Sequence, residues 1–231
     1  MRFLSILLVL SLLLAQTAGA PPLLFASAWS PKSLNPVLWL DATQITGLND
    51  GDSVGTWSDM SGHGNDATQS TASKKPTYKT GIQNGRPIVR FDGVDDVLIS
   101  ASVEIQVGHL FAVVSGGLSN LEGFARGNRG ASIERMGLLY PDASTWFSGD
   151  INDAIIITRV NGVPSTSHTS AFSAVSGSRA APTSILGVNV GSSHTPFWNG
   201  DIAELLLFPN QLSTAQRDQI ESYLRTKWGT P

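Results

Sequence analysis

The sequence has no cysteine and few charged residues, and each shortage excludes a class of protein. Without cysteine, no disulfide can hold the fold, so core packing and sheet hydrogen bonds must stabilise it. The lipid of a lipoprotein also needs a cysteine to attach to. The 15 basic and 18 acidic residues give a net charge of −3 with no clustered basic face. The composition therefore argues against nucleic acid as a partner.

The first twenty residues have the pattern of a secretory signal peptide. Arg2 is followed by a leucine-rich apolar run, and Ala18-Gly19-Ala20 offers a small-residue cleavage site. A second small-x-small site extends the possible cleavage to Ala28, and an uncleaved membrane anchor is the competing interpretation. The apolar core is shorter than the roughly 20 residues that span a bilayer. We therefore expect a secreted, extracellular or periplasmic protein with no stable membrane anchor after signal removal, and a single domain over 29–231.

Short strands separated by turns account for most of the remaining chain. Val37–Leu40 is a continuous apolar run that is too short for a helix and typical of a strand buried on both faces. Ala154–Val160 is rich in β-branched residues, and Asn161-Gly162 after it is the dipeptide that two-residue hairpin turns prefer. With no alternation of strands and helices, these patterns predict antiparallel sheets.

A hairpin over Arg86–Ser100 is the expected centre of the fold. Val89 and Phe91 alternate with polar residues, and an apolar run over 97–99 follows the turn residues Asp92-Gly93. The pattern predicts two neighbouring strands of opposite direction.

One helix is predicted, at the C-terminal end of the chain. Ser213 and Gln216 have the spacing of a capping box, apolar residues recur at helical spacing up to Trp228, and Gly229 ends the pattern. The predicted fold is therefore all-β, with two antiparallel sheets forming a sandwich and one C-terminal α-helix.

Five sequence blocks carry a family resemblance. They are VLWLDA, WSDMSGHGNDATQ, NGRPIVRFDGVDDVL, HLFAVV and FWNGDIAELLLFPNQLSTAQRDQIESYLRTKWG. Together they resemble the concanavalin A-like lectin and glucanase superfamily, in particular the laminin G-like jelly-roll modules of exported bacterial and phage proteins. The resemblance implies a jelly-roll sandwich. It does not imply one activity, because that superfamily holds lectins, glucanases and adhesion modules.

No residue pattern predicts catalysis. Glycoside hydrolysis needs two carboxylates on either side of the scissile bond, and the related glucanases carry theirs as Glu-x-Asp-x-x-Glu on one strand. None of the five glutamates here has that spacing. Glu204 is interpreted as a charge at a strand edge, and the four histidines as surface or loop residues. We therefore expect a protein that is not an enzyme.

Calcium is the candidate cofactor, because carboxylate-rich loops supply the oxygen ligands that this cation prefers. The densest cluster is Asp92, Asp95 and Asp96. The alternative is that Asp92 caps the turn through backbone N–H groups while its neighbours point to water. The loop that begins at Asp59 resembles the first half of an EF-hand, but the later ligand positions do not match.

Tryptophans in polar segments are the candidate ligand-binding residues. Trp146 and Trp198 have polar neighbours and could stack on a sugar ring, with Asn199 and Asp201 binding its hydroxyl groups. The alternative for Trp198 is a plug at the edge of the core. Three core tryptophans are also predicted: Trp39, Trp57 and Trp228.

The function predicted from the sequence is a secreted, non-catalytic binding module. Its expected partner is a glycan or another extracellular surface, with calcium as the candidate ion. A structural or adhesion domain without a small ligand is the alternative, and a glycoside hydrolase is the third hypothesis.

Overall fold

The computed structural model describes residues 29–100, 104–116, 123–129, 132–139, 146–147, 155–165, 167, 170–191 and 197–231. The predicted signal segment, with its cleavage sites up to Ala28, lies outside these residues. The chain divides into a short unit, Met1–Ser33, and a second unit, Leu34–Pro231. In the described residues, no helix has the length and apolarity needed to span a membrane.

The described part of the second unit contains fourteen strands and one α-helix. In the first half of the chain the strands are β1 Leu38–Asp41, β2 Thr56–Trp57, β3 Ala67–Thr68, β4 Thr77–Gln83, β5 Arg86–Asp92, β6 Leu98–Ser100 and β7 Glu104–Gly116. In the second half they are β8 Gly123–Arg129, β9 Ser132–Leu139, β10 Trp146–Phe147, β11 Ile155–Val160, β12 Val163–Pro164, β13 Ser173–Val190 and β14 Asn199–Phe208. The helix α1 spans Thr214–Trp228.

The strands form two antiparallel sheets that make a sandwich, as the sequence predicted. One sheet runs from β12 and β11 through the first half of β13, the second half of β7, β14 and β5 to β4, with β1 beside β14. The other contains β10, β9, β8, the second half of β13, the first half of β7, β6, β3 and β2. The long strands β7 and β13 take part in both sheets, so hydrogen bonding is continuous between them.

The predicted hairpin over Arg86–Ser100 is wrong. β5 pairs with β4 and β14, whereas β6 pairs with β3 and β13, so the two strands lie in different sheets. The alternation of buried residues shows that each segment has a buried face, but it does not show which strand lies beside it. The acidic turn between them therefore carries the chain from one sheet to the other.

The predicted turn at Asn161-Gly162 is confirmed. Asn161 and Gly162 have φ values of 51° and 80°, and Val160 pairs with Val163 across this turn. Positive φ at both central residues is what a type I′ turn requires, and this explains the Asn-Gly sequence.

The helix also begins and ends where the sequence predicted. The Ser213 hydroxyl accepts a hydrogen bond from the Gln216 backbone, and the Gln216 side chain accepts one from the Ser213 backbone. Gly229 ends the helix with a φ of 63°, in the left-handed region. Trp228, in the last turn, is fully buried, as are Ile220 and Leu224.

The interpretation of Glu204 as an edge charge is wrong, because its carboxylate is fully buried beneath α1. Oε1 accepts hydrogen bonds from Trp39 Nε1 at 2.7 Å and from the Tyr223 hydroxyl at 3.0 Å. Oε2 accepts from Trp228 Nε1 and Lys227 Nζ, both at 2.7 Å. Burial raises the pKa of Glu204, and the four donors offset the cost of removing a carboxylate from water.

Lys227 also bonds the carboxylate of Asp41, whose oxygen lies 2.5 Å from Nζ. Asp41 lies directly opposite Glu204 in the pairing of β1 with β14. One ammonium therefore lies between two buried carboxylates and joins β1, β14 and α1. The predicted core tryptophans Trp39 and Trp228 are both buried and belong to this cluster, and the third, Trp57, is buried elsewhere.

The interpretation of His109 as a surface residue is also wrong. His109 lies in β7, is 3% exposed, and stacks on Phe111 with ring centres 4.5 Å apart. Its Nδ1 accepts a hydrogen bond from the Leu212 backbone at 3.4 Å. Burial lowers the pKa of His109 to about 3, so the imidazole is neutral at physiological pH. The other histidines are His63, which is exposed, and His168 and His194, which lie outside the described residues.

Candidate functional site: an acidic turn between the two sheets

Three carboxylates converge in the turn that leaves β5. Asp92 is the last residue of that strand and is exposed, Asp95 is partly exposed, and Asp96 is 5% exposed. One carboxylate oxygen from each lies within 4.8 Å of the others. Oxygen atoms at this separation can share a cation, so the triad can bind a metal ion.

Two of these carboxylates also shape the turn. Asp92 Oδ1 accepts hydrogen bonds from the backbone of Val94 at 2.8 Å and of Asp95 at 3.3 Å. Asp96 Oδ2 accepts one from the backbone of Asp92 at 3.0 Å. The capping role predicted as the alternative for Asp92 is therefore present, but the part of that alternative in which Asp96 points to water is wrong, because Asp96 is buried. The capping role is compatible with metal binding, because Asp92 Oδ2 and Asp96 Oδ1 take no part in these three bonds.

The surroundings of Asp96 oppose its ionisation. Burial, followed by the negative charge of Asp92, raises the pKa of Asp96 to about 6. Both effects oppose ionisation of Asp96. A cation placed among the three oxygens would compensate both, because it stabilises the ionised form of each carboxyl group.

Two of the predicted ligand-binding residues lie next to the acidic turn. The pairing of β5 with β14 places Asn199 opposite Asp92, and Asn199 is exposed. A Cβ atom built on Gly93 would lie 2.7 Å from the Cβ of Asn199, and Gly93 has a φ of +77°. Only glycine fits this close approach without displacing Asn199.

Asp201 is the second of these residues, and its carboxylate already has a partner. Asp201 lies opposite Arg90 in the same strand pair and is 5% exposed. Arg90 donates two hydrogen bonds to it, from Nε at 2.7 Å and from the terminal NH2 group at 2.9 Å. This bidentate geometry is the strong form of the ion pair. Asp201 therefore fixes Arg90 at the edge of the site.

Of the two candidate stacking tryptophans, Trp198 is the one whose side chain the structure describes. Trp198 is fully buried, and its backbone N–H donates to the Gly191 carbonyl at 3.1 Å. A ring with no exposed face cannot stack on a sugar, so its position fits the core plug that the sequence also allowed. Trp146 lies in β10 opposite Leu139, and the structure describes its backbone only.

The loop that resembles an EF-hand is stabilised by Asp59. This carboxylate accepts four hydrogen bonds, from the backbones of Trp39, Ser61 and Asn65 and from the Ser61 hydroxyl, at 2.6–3.0 Å. Its oxygens thus order the loop by bonding protein donors. The sequence showed that the motif was incomplete but gave no sign that Asp59 organises the loop.

Comparisons with known proteins show no family. No protein-family model matches the sequence, and no curated protein matches it. Two solved structures of Trypanosoma rangeli sialidase resemble the chain. In complex with the inhibitor DANA, the match has 12% identity and a TM-score of 0.47, and covers 80% of this chain and 32% of the sialidase chain. The match to the covalent intermediate with 2,3-difluorosialic acid has 14% identity and a TM-score of 0.42. It covers 81% of this chain and 33% of the sialidase chain. The chain thus spans about a third of the length of the sialidase chains.

Proposed function

We propose that the chain is an exported, non-catalytic binding module that holds calcium at Asp92, Asp95 and Asp96. Its proposed partner is a glycan or another extracellular surface that contacts the ion and the exposed amide of Asn199. The convergence of three carboxylate oxygens within 4.8 Å is the observation that carries the proposal. The pKa of Asp96, raised to about 6 by burial and by Asp92, supports it, because a cation relieves this repulsion.

The triad fits calcium by its chemistry. Calcium takes six to eight oxygen ligands in flexible geometry, and backbone carbonyls and water commonly complete a set begun by carboxylates. An ion in an exposed turn also leaves coordination positions open for the hydroxyl groups of a partner.

Three of the described carboxylates are not available for catalysis. Glu204 is fully buried and Glu221 is 5% exposed, so neither can reach a substrate. Asp201 is engaged by Arg90. We therefore infer binding rather than hydrolysis, and release of reducing sugar from β-glucans by the purified protein would contradict this inference.

Calcium should raise the melting temperature of the purified protein. At 10 mM calcium and a dissociation constant of about 1 mM, a value typical of extracellular modules, binding adds about 1.4 kcal/mol to the free energy of unfolding. For a domain of this size the gain corresponds to about 3 to 6 °C. Differential scanning calorimetry with calcium and with EDTA measures it.

The double variant Asp95→Asn with Asp96→Asn should lose the calcium-dependent increase. Asp218→Asn is a control for the loss of an exposed carboxylate away from the turn, since Asp218 lies on α1; it removes one charge where the double variant removes two. An equal calcium response in wild type and double variant would place the ion elsewhere. No response in wild type would remove calcium from the proposal.

The resemblance to laminin G-like jelly-roll modules fits the sandwich, and we infer membership of that superfamily from the five sequence blocks. Export rests on the signal pattern of Met1–Ala20. The mass of the secreted protein tests it, since a product that retains this segment would contradict signal cleavage.

A further inference from the structure

A groove lies on the outer surface of β2, β3 and β6. It has a volume of about 830 Å³, and its lining includes Thr56, Thr68, Asp66, Lys75 and Ile99. None of the three carboxylates of the acidic turn lines it. The groove is therefore a second candidate site on the same domain.

The floor of the groove is a row of three side chains on neighbouring strands. Thr56 pairs with Thr68, and Thr68 pairs with Ile99. Residues directly opposite each other in paired strands lie on the same face, and all three are exposed, Ile99 to 42%. The row presents methyl groups and hydroxyls together, which suits the mixed C–H and hydroxyl surface of a sugar ring.

Lys75 supplies a positive charge at the wall of the groove. Its Nζ would lie 3.3 Å from a Cβ built on Gly55, so the absence of a side chain at Gly55 leaves room for the ammonium group. Lys75 is partly buried, and within the described residues its ammonium makes no hydrogen bond or ion pair. An anionic ligand in the groove would give this ammonium group the partner that the described residues do not supply.

Asp66 supplies an acceptor in the same groove. Its Oδ1 is occupied by the Asp59 backbone N–H at 2.7 Å, and its side chain is exposed. The remaining oxygen can accept hydrogen bonds from ligand hydroxyl groups. A ligand with both an anionic group and several hydroxyls matches the two charges.

We propose that this groove binds an anionic saccharide, with its acidic group on Lys75 and its ring on the Thr56, Thr68 and Ile99 row. The inference shares the glycan class with the proposed function, but it concerns different residues. It can therefore hold or fail independently of the calcium site.

Isothermal titration calorimetry of the whole protein with oligogalacturonate in EDTA tests the groove without calcium. Fully methyl-esterified oligogalacturonate is the matched neutral probe, and a sulfated oligosaccharide of similar length distinguishes sulfate from carboxylate. We expect the anionic probe to bind at least about tenfold more tightly than the neutral one, as a charge-assisted hydrogen bond provides.

Lys75→Gln should remove this preference, whereas Lys74→Gln should keep it. The second variant loses the same charge from an exposed neighbour that does not line the groove. Ile99→Ala should weaken the binding of both probes about equally. Equal loss in the two lysine variants, or no binding of any anionic probe by wild type, would overturn the proposal. Loss of the calcium response with retained Lys75-dependent binding would contradict only the calcium site.

Discussion

His109 should make the free energy of unfolding depend on pH, and the substitution His109→Gln should remove this contribution. The imidazole is buried against Phe111, and burial opposes the positive charge that protonation would add. His109→Gln keeps an acceptor within reach of the Leu212 backbone N–H but has no titrating group.

The sign follows from the two protonation states. Burial lowers the pKa of His109 from 6.5 in the unfolded chain to about 3 in the folded one. Between these values the unfolded state binds the proton and the folded state does not, so stability falls as the pH falls. From pH 7 to pH 5, this linkage costs wild type about 2 kcal/mol.

Urea unfolding of both proteins at pH 7 and pH 5 measures the effect. The two proteins differ in no titratable group except His109, so the difference between their pH responses isolates this residue. Wild type should lose about 2 kcal/mol more than His109→Gln on acidification. Equal losses to within about 0.5 kcal/mol would refute the buried neutral state. So would titration near pH 6.5 of the imidazole NMR signal that is missing from the spectrum of His109→Gln.

Two further substitutions test the burial of residues that the sequence placed near the surface. Trp198→Ala should lower the free energy of unfolding by about 3 to 5 kcal/mol, because removal of the fully buried ring leaves a cavity. A loss below about 1 kcal/mol in denaturant titrations, together with weakened glycan binding, would instead support the stacking role. Glu204→Ala should lower the free energy of unfolding by about 3 to 5 kcal/mol, because the Lys227 ammonium and the indole N–H groups of Trp39 and Trp228 lose their acceptor. A melting temperature close to that of wild type would show that water replaces the carboxylate.

The elements predicted correctly from the sequence are those that neighbouring residues specify. The Asn161-Gly162 turn and the Ser213 capping box depend on contacts within three residues, and the sequence contains all of the information. The hairpin over Arg86–Ser100 was wrong because strand pairing is a tertiary property. β5 pairs with β14, more than a hundred residues away in the sequence.

The same limit applies to the candidate site. The acidic triad is visible in the sequence because its three members lie within five residues. The positions of Asn199 beside Asp92, and of Asp201 on Arg90, follow only from the pairing of β5 with β14. Glu204 and His109 were misplaced for a related reason: a polar residue is tolerated in the interior when distant residues supply its partners, and Trp39 is 165 residues from Glu204.

The polar cluster around Glu204 has a consequence for the order of folding. The Trp39 indole and one carboxylate oxygen of Asp41, both in the first strand, bond Glu204 and Lys227 near the end of the chain. During synthesis, β1 therefore cannot pair with β14 until almost the entire polypeptide has been made. Contacts of such long sequence separation form slowly. Until the last helix has been made, the backbone N–H and C=O groups along the edge of β1 therefore stay available for pairing with another chain.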